Sequence, residues 1–313
     1  MGKKKGLKKL KYDLLYAFVK GGVKVLQKMP RKPLLRTGGR LGVLAYKLMK
    51  SERLKTLKNL DIAYGDTKSD SEKKWIAKES WRHLGMNAIE TFRLPLLNTF
   101  KDFNDIVTVT GWEKITKVQL EGSGVIGLCA HHGCFELVNA YAGLIEKGVT
   151  VVGAPLKDER LNELLIQNRS HQGQKYVTRS ASAFKHLLNG ILSKELSILL
   201  VDQDTQKVKN VFVDFMGTQA STPIGATILA AKTGAPVFPI SITRNEDLSH
   251  AIVVGDPVYA VQTGDKEKDL IDNTQRISDS QVHFIKQKPE QWIWLHERWK
   301  TRPQEEEKES IKA

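Results

Sequence analysis

From about residue 107 onward the chain alternates short apolar runs, rich in Val and Ile, with stretches of helical periodicity. No other feature limits its fold so tightly. The runs lie at Val107–Val109, Val125–Cys129, Val149–Val152, Leu196–Val201, Val211–Phe215, Val237–Ile242 and Ala251–Val254, with helical patterns near 134–147, 159–169, 182–193 and 222–233. Strands that alternate with helices predict an α/β architecture, a central and mostly parallel sheet flanked by helices. Residues 36–95 read as helical, broken at Gly39, Gly42 and Gly65, and form a helical N-terminal preface. Ser69 followed by Glu72 marks a helix start, a side-chain oxygen with a Glu three residues later. A chain of 313 residues can bury one substantial core.

The first 30 residues are set apart by charge. Residues 7–29 predict an amphipathic helix, with Leu14, Leu15, Phe18, Val19, Val23, Val25 and Leu26 on one side and Lys8, Lys9, Lys11, Lys20, Lys24 and Lys28 around them. Such a helix suits an anionic bilayer surface, and it equally suits packing on a core with a solvated lysine face. The expected organisation is therefore a membrane-associating helix over 1–30, a main domain over 31–302 and a disordered charged tail over 303–313. Across the whole chain 49 Lys and Arg face 35 Asp and Glu, giving +14 and predicting an anionic partner. No apolar stretch is long enough to span a bilayer or to serve as a secretory signal. The two cysteines, Cys129 and Cys134, are too close to staple a secreted scaffold and fit a reducing, cytoplasmic interior.

The chemistry concentrates in Val125-Ile-Gly-Leu-Cys-Ala-His131-His132-Gly133-Cys134-Phe135-Glu136, where an apolar strand runs into a polar turn and then a helix. His131 leaves the strand and Glu136 opens the helix. A turn permitted by Gly133 could fold the carboxylate onto the imidazole, fixing one ring nitrogen as N–H and leaving the other to take a proton from a hydroxyl. Other readings stay open: zinc held by Cys129, His131, His132 and Cys134, a Cys134 nucleophile beside His132, or histidines that serve only the core.

The segment His131-His132-Gly133-Cys134-Phe135-Glu136-Leu137 resembles the His-x4-acid motif of the bacterial lipid A late acyltransferases, within the wider glycerolipid acyltransferase superfamily. Asn59-Leu60-Asp61-Ile62-Ala63-Tyr64, Val201-Asp202-Gln203-Asp204, Val211 to Gly217, Thr222-Pro223, Lys232 to Val237 and Pro289-Glu290-Gln291-Trp292-Ile293-Trp294-Leu295-His296-Glu297-Arg298-Trp299 extend the likeness over most of the chain. Family members often carry Asn-Trp where this chain has Cys134-Phe135.

The resemblance implies an O-acyltransferase with His131 as general base and Glu136 as its partner. It implies substrate contacts by Arg169, Asp202, Gln203 and Arg298, with no cofactor and no metal. Arg298 reads equally as a structural ion pair, and Trp292, Trp294 and Trp299 read as core. The implied donor is acyl carrier protein or acyl-CoA, and the acceptor a lipid A precursor or another glycolipid. The expected location is peripheral, on the cytoplasmic face of the inner membrane. A hydrolase using the same pair and a non-catalytic basic membrane or nucleic-acid binder are the competing classes, although no nucleic-acid-binding signature is found.

Overall fold

The computed structural model describes residues 20–156, 158–180 and 182–303, together with Asp13 and Tyr16. The preface consists of helices α1 (Arg31–Leu48), α2 (Lys50–Tyr64) and α3 (Asp70–Arg93), preceded by helical residues 20–28. The earlier part of the expected 7–29 helix, apart from Asp13 and Tyr16, lies outside the described residues, as does the expected tail beyond Pro303. Ser69 caps α3 as the sequence predicts: its side chain accepts from the Glu72 amide, and the Glu72 carboxylate accepts from the Ser69 amide. α1 packs closely on α3 because glycines line the crossing. A Cβ on Gly42 would sit 2.0 Å from the Trp81 carbonyl oxygen.

Behind the preface stands a seven-stranded sheet of order β1-β9-β8-β2-β5-β3-β4. Its strands are β1 (Val107–Thr110), β2 (Val125–Cys129), β3 (Val149–Gly153), β4 (Lys175–Thr178), β5 (Leu196–Leu200), β8 (Val237–Arg244) and β9 (His250–Val254). Every pairing is parallel except β8 with β9. β2 lies inside the sheet and is buried at every position, which explains its unbroken apolar sequence. The intervening helices include α4 (Phe100–Asn104), α5 (Trp112–Leu120), α6 (Phe135–Ile145), α7 (Glu159–Arg169), α8 (Ala183–Leu192), α9 (Gly225–Thr233) and α10 (Lys266–Gln287).

Several elements differ from the sequence expectation: Gly39 and Gly42 do not break the preface but lie inside the continuous helix α1, and α5 and α10 have no counterpart among the expected helices. The run at Val211–Phe215 is not part of the main sheet: β6 (Asn210–Phe215) pairs antiparallel with β7 (Thr218–Pro223) in a separate two-stranded sheet. β7, of sequence TQASTP, lacks the apolar run that marks a strand, so helix α9 begins at Gly225 instead of residue 222. β4 was also not legible, because KYVT is a short edge strand with no fully buried residue.

Candidate active site

Parallel pairing of β2 with β5 sets Cys129 opposite Leu200. Two residues beyond each, at the same height past the strand ends, stand His131 and Asp202. The carboxyl ends of parallel strands are where α/β folds present ligand-binding groups. Asp202 is fully buried, and its Oδ1 meets the His131 Nδ1 at 2.9 Å. Its Oδ2 accepts from the His131 backbone N–H at 2.8 Å and from the Trp292 indole N–H at 2.8 Å. Burial works to raise the Asp202 carboxyl, yet the His131 imidazole and these hydrogen bonds together hold it down at about 2. An ionised acceptor on Nδ1 fixes the tautomer that carries its proton there, leaving Nε2 with an open lone pair. The His131 side chain is 25% exposed, enough to face a substrate.

Glu136 occupies the first turn of α6, as expected, but its carboxylate pairs with Arg169, and the His131 ring is bonded by Asp202 instead. The Arg169 guanidinium, on the last turn of α7, donates to Glu136 and to the Tyr176 hydroxyl and stacks over the Tyr176 ring. Its Nε is buried and has no hydrogen-bond partner among the described residues. The folded turn thus brings His131, Glu136 and Arg169 to one place, while the acid on Nδ1 is Asp202. Gly133 makes the turn possible: its φ is +55°, and a Cβ there would lie 2.0 Å from the Ile242 carbonyl oxygen.

His132 is a core residue, 2% exposed, with Nε2 2.8 Å from the Lys288 carbonyl oxygen. Burial lowers its pKa. Cys129 and Cys134 are each 1% exposed, and burial pushes both thiols well above their ordinary range, the opposite of an activated nucleophile. Among the described residues no three His, Cys, Asp or Glu side chains gather as a metal site would require.

Two cavities meet at the site and share His131, Phe135, Glu136 and Arg169. One, about 390 Å³, runs between the sheet and α8 and is walled by apolar side chains such as Val151, Leu165, Phe184, Leu187 and Leu199. Gln203 lines it. The other, about 270 Å³, opens between α3 and the C-terminal segment, against Trp81, Leu84, Asn87, Trp292 and Trp294.

The chain matches the family described as bacterial lipid A biosynthesis acyltransferase over residues 1–301. It belongs to that family. It is similar to the lipid A biosynthesis lauroyltransferase of Escherichia coli (strain K12), 25% identical over 278 residues that make up 88% of each chain. It is also similar to the lipid A biosynthesis palmitoleoyltransferase of the same strain, 23% identical over 280 residues, 88% of this chain and 87% of the relative. A phosphatidylinositol mannoside acyltransferase of Mycobacterium tuberculosis (strain CDC 1551 / Oshkosh) is 26% identical over 154 residues, 48% of each chain. The protein is accordingly an acyltransferase enzyme.

Within this acyltransferase the remaining sequence-derived residues divide. Arg298, 0% exposed, donates to the Ser221 carbonyl and the Thr222 hydroxyl and lies over the Phe215 ring. A guanidinium so enclosed anchors β7 to the C-terminal segment and does not reach either cavity, which corrects its expected substrate contact. Trp292, Trp294 and Trp299 pack in one buried cluster, as expected. Trp292 has a second role that sequence did not disclose, since its indole N–H is spent on Asp202. The Asp202–His131 contact also escaped sequence reading. The only signal for it was an acid at the end of a strand, and strand order decides which acid that is.

Proposed function

We propose that this enzyme transfers a fatty acyl chain from a thioester to a hydroxyl of a lipid A precursor, with His131 as general base. The His131–Asp202 contact, at a point where two cavities meet, carries the reading. His131 Nε2 takes the proton of the acceptor hydroxyl while Asp202 supports the imidazolium that results. The oxygen attacks the thioester carbonyl, and the protonated ring then returns its proton to the departing thiol. Such general-base help contributes on the order of 10²–10⁴-fold.

The apolar 390 Å³ cavity suits the acyl chain, and the 270 Å³ opening beneath α3 suits the acceptor. Glu136 holds the Arg169 guanidinium where both substrates converge. The Arg169 guanidinium lines both cavities, where it can donate to a phosphate or to the carbonyl oxygen as it gains charge. Gln203 lies along the donor cavity. Acyl carrier protein, an acidic donor, fits the +14 balance of the chain, and acyl-CoA carries the same thioester.

The acceptor is a membrane lipid, and the surface of α1 is consistent with work at the cytoplasmic face of the inner membrane. Leu41, Leu44 and Leu48 form an exposed stripe beside exposed Arg36, Arg40 and Lys47, and α1 contains no acidic residue. Among the described residues no helix is long and apolar enough to cross a membrane.

The test is to incubate purified protein with acyl carrier protein thioesters and a tetra-acylated lipid A precursor and to read products by mass spectrometry. A gain of one acyl chain that disappears in folded His131→Ala supports the reaction and the base together. The likeness to the mannoside acyltransferase favours a second acceptor, mannosylated phosphatidylinositol, in a parallel arm. Acylation of that lipid alone would retain the mechanism and change the substrate. Thiol release that needs no acceptor would make the protein a hydrolase.

A further inference from the structure

We propose that Trp292 is a positioning residue for the reaction: its indole N–H fixes the Asp202 carboxylate, which in turn orients His131. The inference rests on the general-base reading above and adds a residue to it. Asp202 follows β5 in a loop, so nothing in regular secondary structure sets its side-chain angle. Of the three N–H groups that converge on its carboxylate, two come from His131 itself, the residue to be oriented. Trp292 supplies the third from outside, at 2.8 Å.

The indole is itself immobile. It is 1% exposed, packs edge-on against Trp294 with ring centroids 4.7 Å apart and meets the Phe215 ring at 5.6 Å. Its backbone is tied to the histidine turn on both sides: the Gly133 N–H donates to the Gln291 carbonyl at 2.9 Å, and the Ile293 N–H to the His131 carbonyl at 3.2 Å. The Gln291 side chain in turn pairs with both backbone groups of Arg244 at the end of β8, at 2.7 and 2.9 Å. The C-terminal segment is thereby clamped to the sheet, and the indole presents its N–H to the acid as a fixed donor. Without that donor the buried Oδ2 retains only the His131 amide, and the carboxylate gains freedom to turn off Nδ1.

The experiment compares Trp292→Phe with Trp299→Phe. Trp299 is 4% exposed in the same cluster, and its indole N–H has no partner among the described residues, so the second variant measures ring loss without loss of a contact to Asp202. Site-specific replacement of Trp292 by benzothienylalanine keeps the bicyclic shape and removes only the donor. Two readouts are taken: kcat and KM for acyl-carrier-protein thioester, and the low-field proton NMR signal of the His131 Nδ1–H. We expect kcat to fall about ten- to a hundredfold in both Trp292 variants, in keeping with one lost hydrogen bond to a buried charge, with KM unchanged. The low-field signal should broaden or vanish in both and persist in Trp299→Phe. Wild-type kcat and an intact signal in either folded Trp292 variant would overturn the proposal, as would an equal loss in Trp299→Phe. Activity retained by His131→Ala would instead sink the general-base reading. The NMR signal, which reports the Asp202–His131 contact without turnover, would still decide whether Trp292 positions the acid.

Discussion

Replacing Asp202 by Asn is the most searching perturbation of this site, because one oxygen becomes an N–H donor while shape is preserved. The new side chain has two ways to sit. Two N–H groups, from the His131 backbone and the Trp292 indole, already converge on Oδ2 at 2.8 Å each. An amide nitrogen there would face two donors, so the carbonyl oxygen of the substituted amide must take that place. Its NH2 then points at His131 Nδ1, 2.9 Å away. Nδ1 is forced to accept, the ring proton moves to Nε2, and Nε2 can no longer serve as the proposed general base. A tautomer reversed in this way costs about 10⁴-fold in a serine protease triad, roughly 5 kcal/mol of transition-state stabilisation. The same magnitude is expected here in kcat, measured as acyl gain by mass spectrometry or as thiol release. Thermal unfolding should move to lower temperature, since the carboxylate charge that the fold stabilises is lost although the packing volume is kept. A folded Asp202→Asn enzyme with more than about a tenth of wild-type activity would refute the argument, being far outside the tautomer penalty.

Glu136→Gln should act differently: with Arg169 no longer held, substrate placement suffers, and a misplacement of this kind costs on the order of 10²-fold, seen in kcat/KM for both substrates. Glu90→Ala should destabilise the fold by about 3–5 kcal/mol in urea titration, because the Arg244 and His250 side chains, 1% and 0% exposed, lose their shared carboxylate; a loss below about 1 kcal/mol would contradict this. Acid should unfold the protein early. Burial, reinforced by Arg244, lowers His83 from 6.5 to about 3, so the unfolded chain binds this proton first and stability is lost as pH falls from about 6.5 toward 3. Buried His250 is lowered in the same direction. Melting temperature against pH should therefore decline below about 6.5, and a flat curve down to about 4 would show the histidines to be accessible. Finally, Gly42→Ala should loosen α1 from α3 and cost about 1–3 kcal/mol, since its Cβ would meet the Trp81 carbonyl oxygen at 2.0 Å.

Much of this protein is written locally. The strand runs, the Ser69 cap and the strand–turn–helix that carries His131 depend on neighbours a few residues apart, so periodicity and turn chemistry reveal them. Membership of the family was legible too, through ordered motifs spread along the chain. What local pattern could not supply is which distant residues become neighbours. Glu136 is five residues from His131 and reads in sequence as its partner, yet the first turn of α6 aims it at Arg169, 33 residues further on. Asp202 meets the ring from 71 residues away because β5 happens to be the strand beside β2, in a register that levels their ends. Trp292, 90 residues beyond Asp202, completes the arrangement for the same reason. Sequence determined most of the sheet strands and the proposed catalytic histidine, since both follow from short-range chemistry. Tertiary structure decided the company that group keeps, since strand order and register are properties of the whole sheet.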